Sequence, residues 1–180
     1  MCYLSLTLIQ FAVSEQNAMP MKAVLLFRKP ETSTGRLIVE QAGLEVLRAQ
    51  NRPFALICAV GPTRTGKSSI LGRAFLRGVH ENVFEIGTGV TSHTGGVWIS
   101  SQPITVQTGA GESINVLLID TEGFSGISGH TSRTYEANVF GITFLMSSVM
   151  IFNSMFPIDA STVSHLNGHV NHALQMLRSL

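Results

Sequence analysis

An uninterrupted apolar run, Phe54-Ala55-Leu56-Ile57-Cys58-Ala59-Val60, leads directly into Gly61-Pro62-Thr63-Arg64-Thr65-Gly66-Lys67-Ser68, and a helical pattern then runs from Lys67 to about Arg77. A short run with no polar break fits a strand buried on both faces of a sheet. The residues after it fill a glycine-rich loop pattern ending in Gly-Lys-Ser. The glycines of that pattern let backbone N–H groups curl around phosphate oxygens, the lysine neutralises their charge, and the serine hydroxyl is offered to Mg²⁺. Strand, loop and helix in that order predict an α/β P-loop fold whose helix turns its positive end toward a polyphosphate. Gly61, Arg64, Thr65, Gly66, Lys67, Ser68 and Ser69 are the expected nucleotide contacts.

A second apolar strand, Ile114 to Ile119, ends at Asp120. A carboxylate there is where P-loop proteins hold Mg²⁺. Asp120-Thr121-Glu122-Gly123 extends it into an Asp-x-x-Gly form, in which the glycine permits close backbone approach to a γ-phosphate. Between the two motifs lies Thr91-Ser92-His93-Thr94, where a threonine can complete a magnesium shell. Ser68, Thr94 and Asp120 are therefore the expected metal ligands.

Around these motifs the chain alternates strand-like and helical stretches. Strands are expected at Ala23 to Phe27, Val97 to Ser100, Ile104 to Thr108 and, buried, at Val149 to Phe152. Helices are expected at Glu40 to Gln50 with Leu44 and Leu47 inward, at Tyr135 to Met146, and at Ser161 to Leu177 with Leu166, Val170, Ala173 and Leu177 on one stripe. In the helix from Lys67, Ile70, Leu71, Ala74 and Phe75 should face the sheet, and Asp159 or Ser161 should cap the last helix. Trp98 and Phe140 read as core. The whole is a three-layer α/β/α arrangement around a mostly parallel sheet, stopping at its C-terminal end while a doubly wound sheet still needs strands, as a fragment or short isoform would.

Charge excludes some partners. The 180 residues carry a net charge of +1, too little field to point to nucleic acid or acidic lipid. Only 13% are charged, against about 25% in typical domains, which leaves part of the surface for a partner. Cys2 and Cys58 imply no disulfide framework, which fits a reducing, cytoplasmic setting. Met1 to Val13 is apolar but lacks the basic start and cleavage pattern of a secretory signal. No later apolar run reaches the ~18 residues of a spanning helix. The end, Arg178-Ser179-Leu180, is no prenylation box, and peripheral membrane association stays open. His165, His169 and His172 share one helix face and read as a polar face beside the apolar stripe; zinc is the alternative, though no cysteine or carboxylate completes its shell.

Taken together, Gly61-x-x-Arg64-Thr65-Gly66-Lys67-Ser68, then Ser92-His93-Thr94-x-Gly96-x-Trp98, then Asp120-Thr121-Glu122-Gly123 resemble the guanylate-binding protein family of large GTPases, within the dynamin superfamily. The resemblance continues at Pro20-Met21, Gly35-Arg36-Leu37, Leu145-Met146-Ser147-Ser148 and Phe152-Asn153-Ser154. It covers residues 20–180 as a partial GTPase domain and leaves 1–19 outside as an extension. It implies Mg²⁺-dependent hydrolysis of GTP, with Arg64 as an internal arginine finger, Ser92 and Glu122 positioning the attacking water, and Thr94 on the metal. It also implies GTP and GDP as ligands and a homodimer formed through this domain when nucleotide is bound. Gly95 stands where relatives often carry lysine, and Pro62 where an aliphatic residue is usual. The family's guanine-specificity pair, Arg-Asp, should come after the point where the chain ends.

Three other readings compete. An atlastin-like fusion GTPase typically has Gln for Glu122 and Lys for Thr65. A catalytically idle nucleotide-binding fragment or interaction module fits the missing half-domain, and an ATP-dependent P-loop enzyme is disfavoured by the switch sequences.

Overall fold

Period-two alternation along two neighbouring strands builds the centre of the molecule. In β3 (Phe54–Val60), Leu56 and Cys58 face one side while Ala59 faces the other; in β6 (Ser113–Thr121), Leu117 and Ile119 face the first side, Val116 and Leu118 the second. Both faces are thus apolar and covered, which is why neither run alternates in polarity. The computed structural model describes residues 20–29, 36–76, 83–84, 95–107, 111–124 and 133–178.

The other described elements are β1 (Ala23–Arg28), β2 (Ile38–Val39), α1 (Gln41–Arg48), α2 (Lys67–Ile70), β4 (Val97–Ser100), β5 (Ile104–Gln107), α3 (Arg133–Met146), β7 (Val149–Phe152) and α4 (Ala160–Arg178). The sheet order is β2-β1-β4-β6-β3-β7, with β5 pairing β6 off that path. β3 runs parallel to both β6 and β7, and this parallel half carries the glycine-rich loop. The pairs β1–β2, β1–β4, β4–β6 and β5–β6 are antiparallel, so the sheet is mixed, its parallel part confined to β6-β3-β7. One core joins Leu26, Leu56, Cys58, Val97, Leu117 and Ile119 to Tyr135 and Val139 of α3, with Val46 and Leu47 of α1 against it. The opposite core joins Leu118 and Val116 to Leu71 and Leu76. Helices on both faces make the expected three-layer α/β/α arrangement.

Several local expectations change. Leu71–Phe75 forms a π-helical turn. The wider turn rotates the residue after it, so fully buried Leu76 reaches the sheet and Ala74, expected inside, is exposed. β7 is not the buried strand its composition predicts. Among the described residues it has β3 on one side only, and Val149 is 51% exposed. β6 does not stop at Asp120 but continues through Thr121.

On α4 the inward stripe is Leu166, His169, Val170, Ala173 and Met176, while Leu177 is 48% exposed. The stripe is set by the contact with α3, where Gly141 leaves room for the Met176 sulfur and Ala173. Asp159 caps the helix, its carboxylate accepting from the Thr162 N–H and hydroxyl, each at 2.7 Å. The histidine face is therefore not simply polar. His169 stacks on Phe140 and Phe124, with centroids 5.0 and 5.5 Å away, and His172 pairs with Asn138 at 2.8 Å, leaving only His165 of the three exposed. Burial lowers the His169 pKa, and among the described residues no three metal-ligating side chains come together. Phe140 is core as expected, and Trp98 is half-buried against the second cluster.

Candidate nucleotide site

β3 is followed at once by Gly61, whose φ of 141° and close approach to the end of β7 exclude a side chain: a Cβ there would run into the Asn153 carbonyl. Asn153 braces the loop from that side, its N–H donating to the Val60 carbonyl at 2.8 Å and its Nδ2 to the Thr65 carbonyl at 2.7 Å. The loop then winds inward. The Thr65 hydroxyl and the Lys67 ammonium both donate to the Pro62 carbonyl, at 3.0 and 2.9 Å. Arg64 takes a φ of 62°, rare for a residue with a side chain, and is exposed at the loop's crest. Gly66 precedes α2, on which Ser68 and Ser69 sit, both half-buried.

Lys67 is only 6% exposed. Burial lowers its pKa, and the nearby carboxylates of Asp120 and Glu122 act in the opposite direction. A buried ammonium bonded to its own loop is ready to exchange a carbonyl for a phosphate oxygen.

Asp120 stands on β6 beside Ala59 of β3, and Thr121 next to it ties the two strands through its hydroxyl and the Ala59 carbonyl at 2.8 Å. The Ser68 hydroxyl donates to Asp120 Oδ2 at 2.6 Å. Oδ1 of the same carboxylate is buried with no hydrogen-bond partner among the described residues. Burial raises the Asp120 pKa to about 6, against the opposing effects of Ser68, Lys67 and the backbone at Thr121. A buried oxygen without a donor, next to a hydroxyl and a carboxylate oxygen 2.6 Å apart, is the arrangement that a hard divalent cation satisfies. Ser68 and Asp120 thus fit Mg²⁺; Thr94, Ser92 and the rest of Thr91-Ser92-His93-Thr94 lie outside the described residues.

Gly123 and Phe124 close the site. The Phe124 N–H donates to the Gly61 carbonyl and the Thr63 N–H to the Phe124 carbonyl, both at 3.0 Å, forming a short parallel bridge between the two motifs. Gly123 passes so near the loop that a Cβ would strike the Thr63 backbone and come within 2.8 Å of Lys67 Nζ. Two segments distant in sequence therefore share one surface at the Lys67 ammonium.

Glu122 lies just beside them in a cage of donors. Lys29 Nζ lies 3.2 Å from Oε1, and the Tyr135 hydroxyl donates to Oε2 at 2.6 Å. The Gly96 N–H donates to Oε2 at 3.3 Å, and the Glu122 N–H returns a bond to the Gly96 carbonyl at 2.9 Å. Burial, then the Glu122 carboxylate, raises the Tyr135 pKa, so its hydroxyl stays a donor. The structure thus gathers Gly61, Thr65, Gly66, Lys67, Ser68, Asp120 and Gly123, with Glu122 beside them and Arg64 at the crest. Lys29, Tyr135, Asn153 and Phe124 also meet these residues, and the sequence singled out none of them; Tyr135 stood only at the start of an expected helix and Asn153 in a segment that carries the resemblance.

Residues 34–179 match the family model described as "Guanylate-binding protein, N-terminal domain". The chain belongs to the guanylate-binding protein family. Among guanylate-binding proteins it is similar to guanylate-binding protein 2 of Rattus norvegicus, at 29% identity over 83% of this chain and 24% of that protein. It is similar to guanylate-binding protein 1 of Chlorocebus aethiops at 30% identity over the same two shares, and to guanylate-binding protein 2 of Homo sapiens at 30% over 76% and 22%. The chain thus spans about a quarter of the length of these guanylate-binding proteins.

Proposed function

We propose that this chain binds GTP with Mg²⁺ and hydrolyses it, as a guanylate-binding-protein-type GTPase domain. The observation that carries the reading is the meeting of Ser68 and Asp120 at 2.6 Å beside the buried Lys67 ammonium, with Asp120 Oδ1 left for a cation. The names of the relatives support guanine as the base. Ser68 and Asp120, with Thr94, would hold the Mg²⁺, which when bound neutralises phosphate charge. Lys67 binds the phosphates, and the N–H of Gly123 approaches the terminal one. Arg64, at the loop's crest, stabilises the charge that develops in the transition state, while Ser92 and Glu122 orient the water.

The test is magnesium-dependent phosphate release from GTP and from ATP, with Lys67→Ala and Arg64→Ala beside the unaltered chain. The expected result is turnover of GTP alone, abolished by Lys67→Ala and lowered at least roughly tenfold by Arg64→Ala. Preference for ATP, or turnover indifferent to Lys67→Ala, overturns the reading.

By the same family reading, residues 20–180 act as the partial GTPase domain in the cytoplasm, and the nucleotide-bound chain pairs with a second copy. Sedimentation with a non-hydrolysable GTP analogue tests that pairing. No helix among the described residues is long and apolar enough to cross a membrane. A binding-only module is the second reading, supported by the exposed apolar residues after β7: Met155 at 71%, Phe156 at 79% and Ile158 at 62%. A folded chain that binds nucleotide only weakly and does not turn it over would select it.

A further inference from the structure

We propose that Lys29 and Tyr135 are positioning residues for Glu122, holding its carboxylate in one orientation so that it can direct the water in hydrolysis; the inference rests on the GTPase reading. The Glu122 side chain is 11% exposed and its carboxylate meets three donors from three parts of the chain. Lys29 comes just after β1, Gly96 precedes β4 and Tyr135 begins the inward face of α3. Lys29 Nζ also sits 4.8 Å from the centroid of the Tyr135 ring, so the ammonium bridges ring and carboxylate and restrains both.

A glutamate has several rotamers, and a carboxylate that must aim a water gains from being fixed in one of them. Oε1 receives the charge-assisted contact of Lys29 and Oε2 those of Tyr135 and Gly96, so the two oxygens are held from different sides. The geometry makes Lys29 more than a surface cation. Its side chain is 41% exposed, so its removal need not disturb the core, while Tyr135→Phe deletes one oxygen from a side chain otherwise packed among Leu26, Leu117 and Val139.

The experiment is steady-state GTP hydrolysis by the full chain with Mg²⁺, comparing Lys29→Met, Lys29→Arg, Tyr135→Phe and Glu122→Gln, each checked for an unchanged melting transition. Lys29→Met and Tyr135→Phe should each lower kcat about tenfold with KM within about twofold, as expected when orientation in the transition state is lost but binding is kept. Lys29→Arg should recover most of that loss. In the Glu122→Gln background neither change should lower kcat further, since both act through Glu122.

A second readout is emission from Trp98, the sole tryptophan, whose Nε1 donates at 3.0 Å to the carbonyl of Gly95, next to the Gly96 that holds Glu122. Lys29→Met and Tyr135→Phe should shift it in the same direction as Glu122→Gln. Unchanged kcat in both variants, a raised kcat, or losses that multiply with Glu122→Gln overturn the inference while the GTPase reading stands. A folded chain with no GTP turnover overturns both.

Discussion

The Ser68 hydroxyl and the Asp120 carboxylate, 52 positions apart in sequence, meet at 2.6 Å where the helix after the loop faces the end of β6. The contact gives the buried carboxylate one donor and leaves its other oxygen with none among the described residues. Ser68→Ala should therefore destabilise the chain by about 1–3 kcal/mol, the cost of stranding a buried acceptor. Urea unfolding measures it, and a change below about 0.5 kcal/mol would place the two side chains apart in solution.

Gly123 predicts a coupled loss of binding and stability. A methyl group there meets the Thr63 backbone, which cannot swing aside as a side chain could. Gly123→Ala should cost about 1–3 kcal/mol as overpacking and weaken nucleotide binding through the displaced loop. A fluorescent GTP analogue titrated into both proteins reads the second effect; equal affinities would mean that the loop gives way freely.

Cys58 supplies a pH dependence. Its thiol is fully buried, and desolvation pushes its pKa from 9.0 to about 12 despite a hydrogen bond with Ser147 that acts the other way. The folded state therefore keeps a proton that the unfolded chain gives up above pH 9.0. Stability from this group is complete below that pH and falls by about 1.4 kcal/mol per pH unit as the pH rises toward the folded value. Between pH 8 and about 10.5 the urea midpoint of the Cys2→Ser chain should fall relative to that of the Cys2→Ser/Cys58→Ala chain, narrowing the advantage that the filled core gives it at the lower pH. Cys58 should also resist thiol reagents until denaturant is added.

The apolar pattern of α4, set beside β6, separates core from surface. Leu118→Ala, at a site with no exposure, should cost about 2–5 kcal/mol, whereas Leu177→Ala, at 48% exposure, should stay within about 0.5 kcal/mol. Met176→Ala should fall between them, because the Met176 sulfur lies over Gly141. A larger effect at Leu177 than at Met176 would show the inward stripe to be rotated.

What is legible in the sequence is what contiguous residues encode. β3, its loop and the start of α2 succeed one another directly, so apolar continuity, glycines and the Lys67-Ser68 pair announce them together, and the Asp120 strand reads the same way. Legibility ends where packing across the chain decides. A π-helical turn at Leu71–Phe75 leaves no local signature, so helical spacing puts Ala74 on the wrong face. Met176 rather than Leu177 turns inward because Gly141 on another helix receives it. Lys29 and Tyr135 reach Glu122 from 93 and 13 positions away, and no spacing rule links them.

The hydrogen bonds between Thr63 and Phe124 span 61 positions, and they lie just past the ends of β3 and β6, in the parallel, sequence-distant half of the fold. Such pairings close late, because a long loop must lose its freedom before any bond rewards it. The phosphate loop can therefore take its final shape only when the chain is nearly finished folding. Acquisition of phosphate affinity is a clock for the end of that process, and a nascent chain halted before Phe124 would carry the glycine-rich loop without the partner that sets its shape.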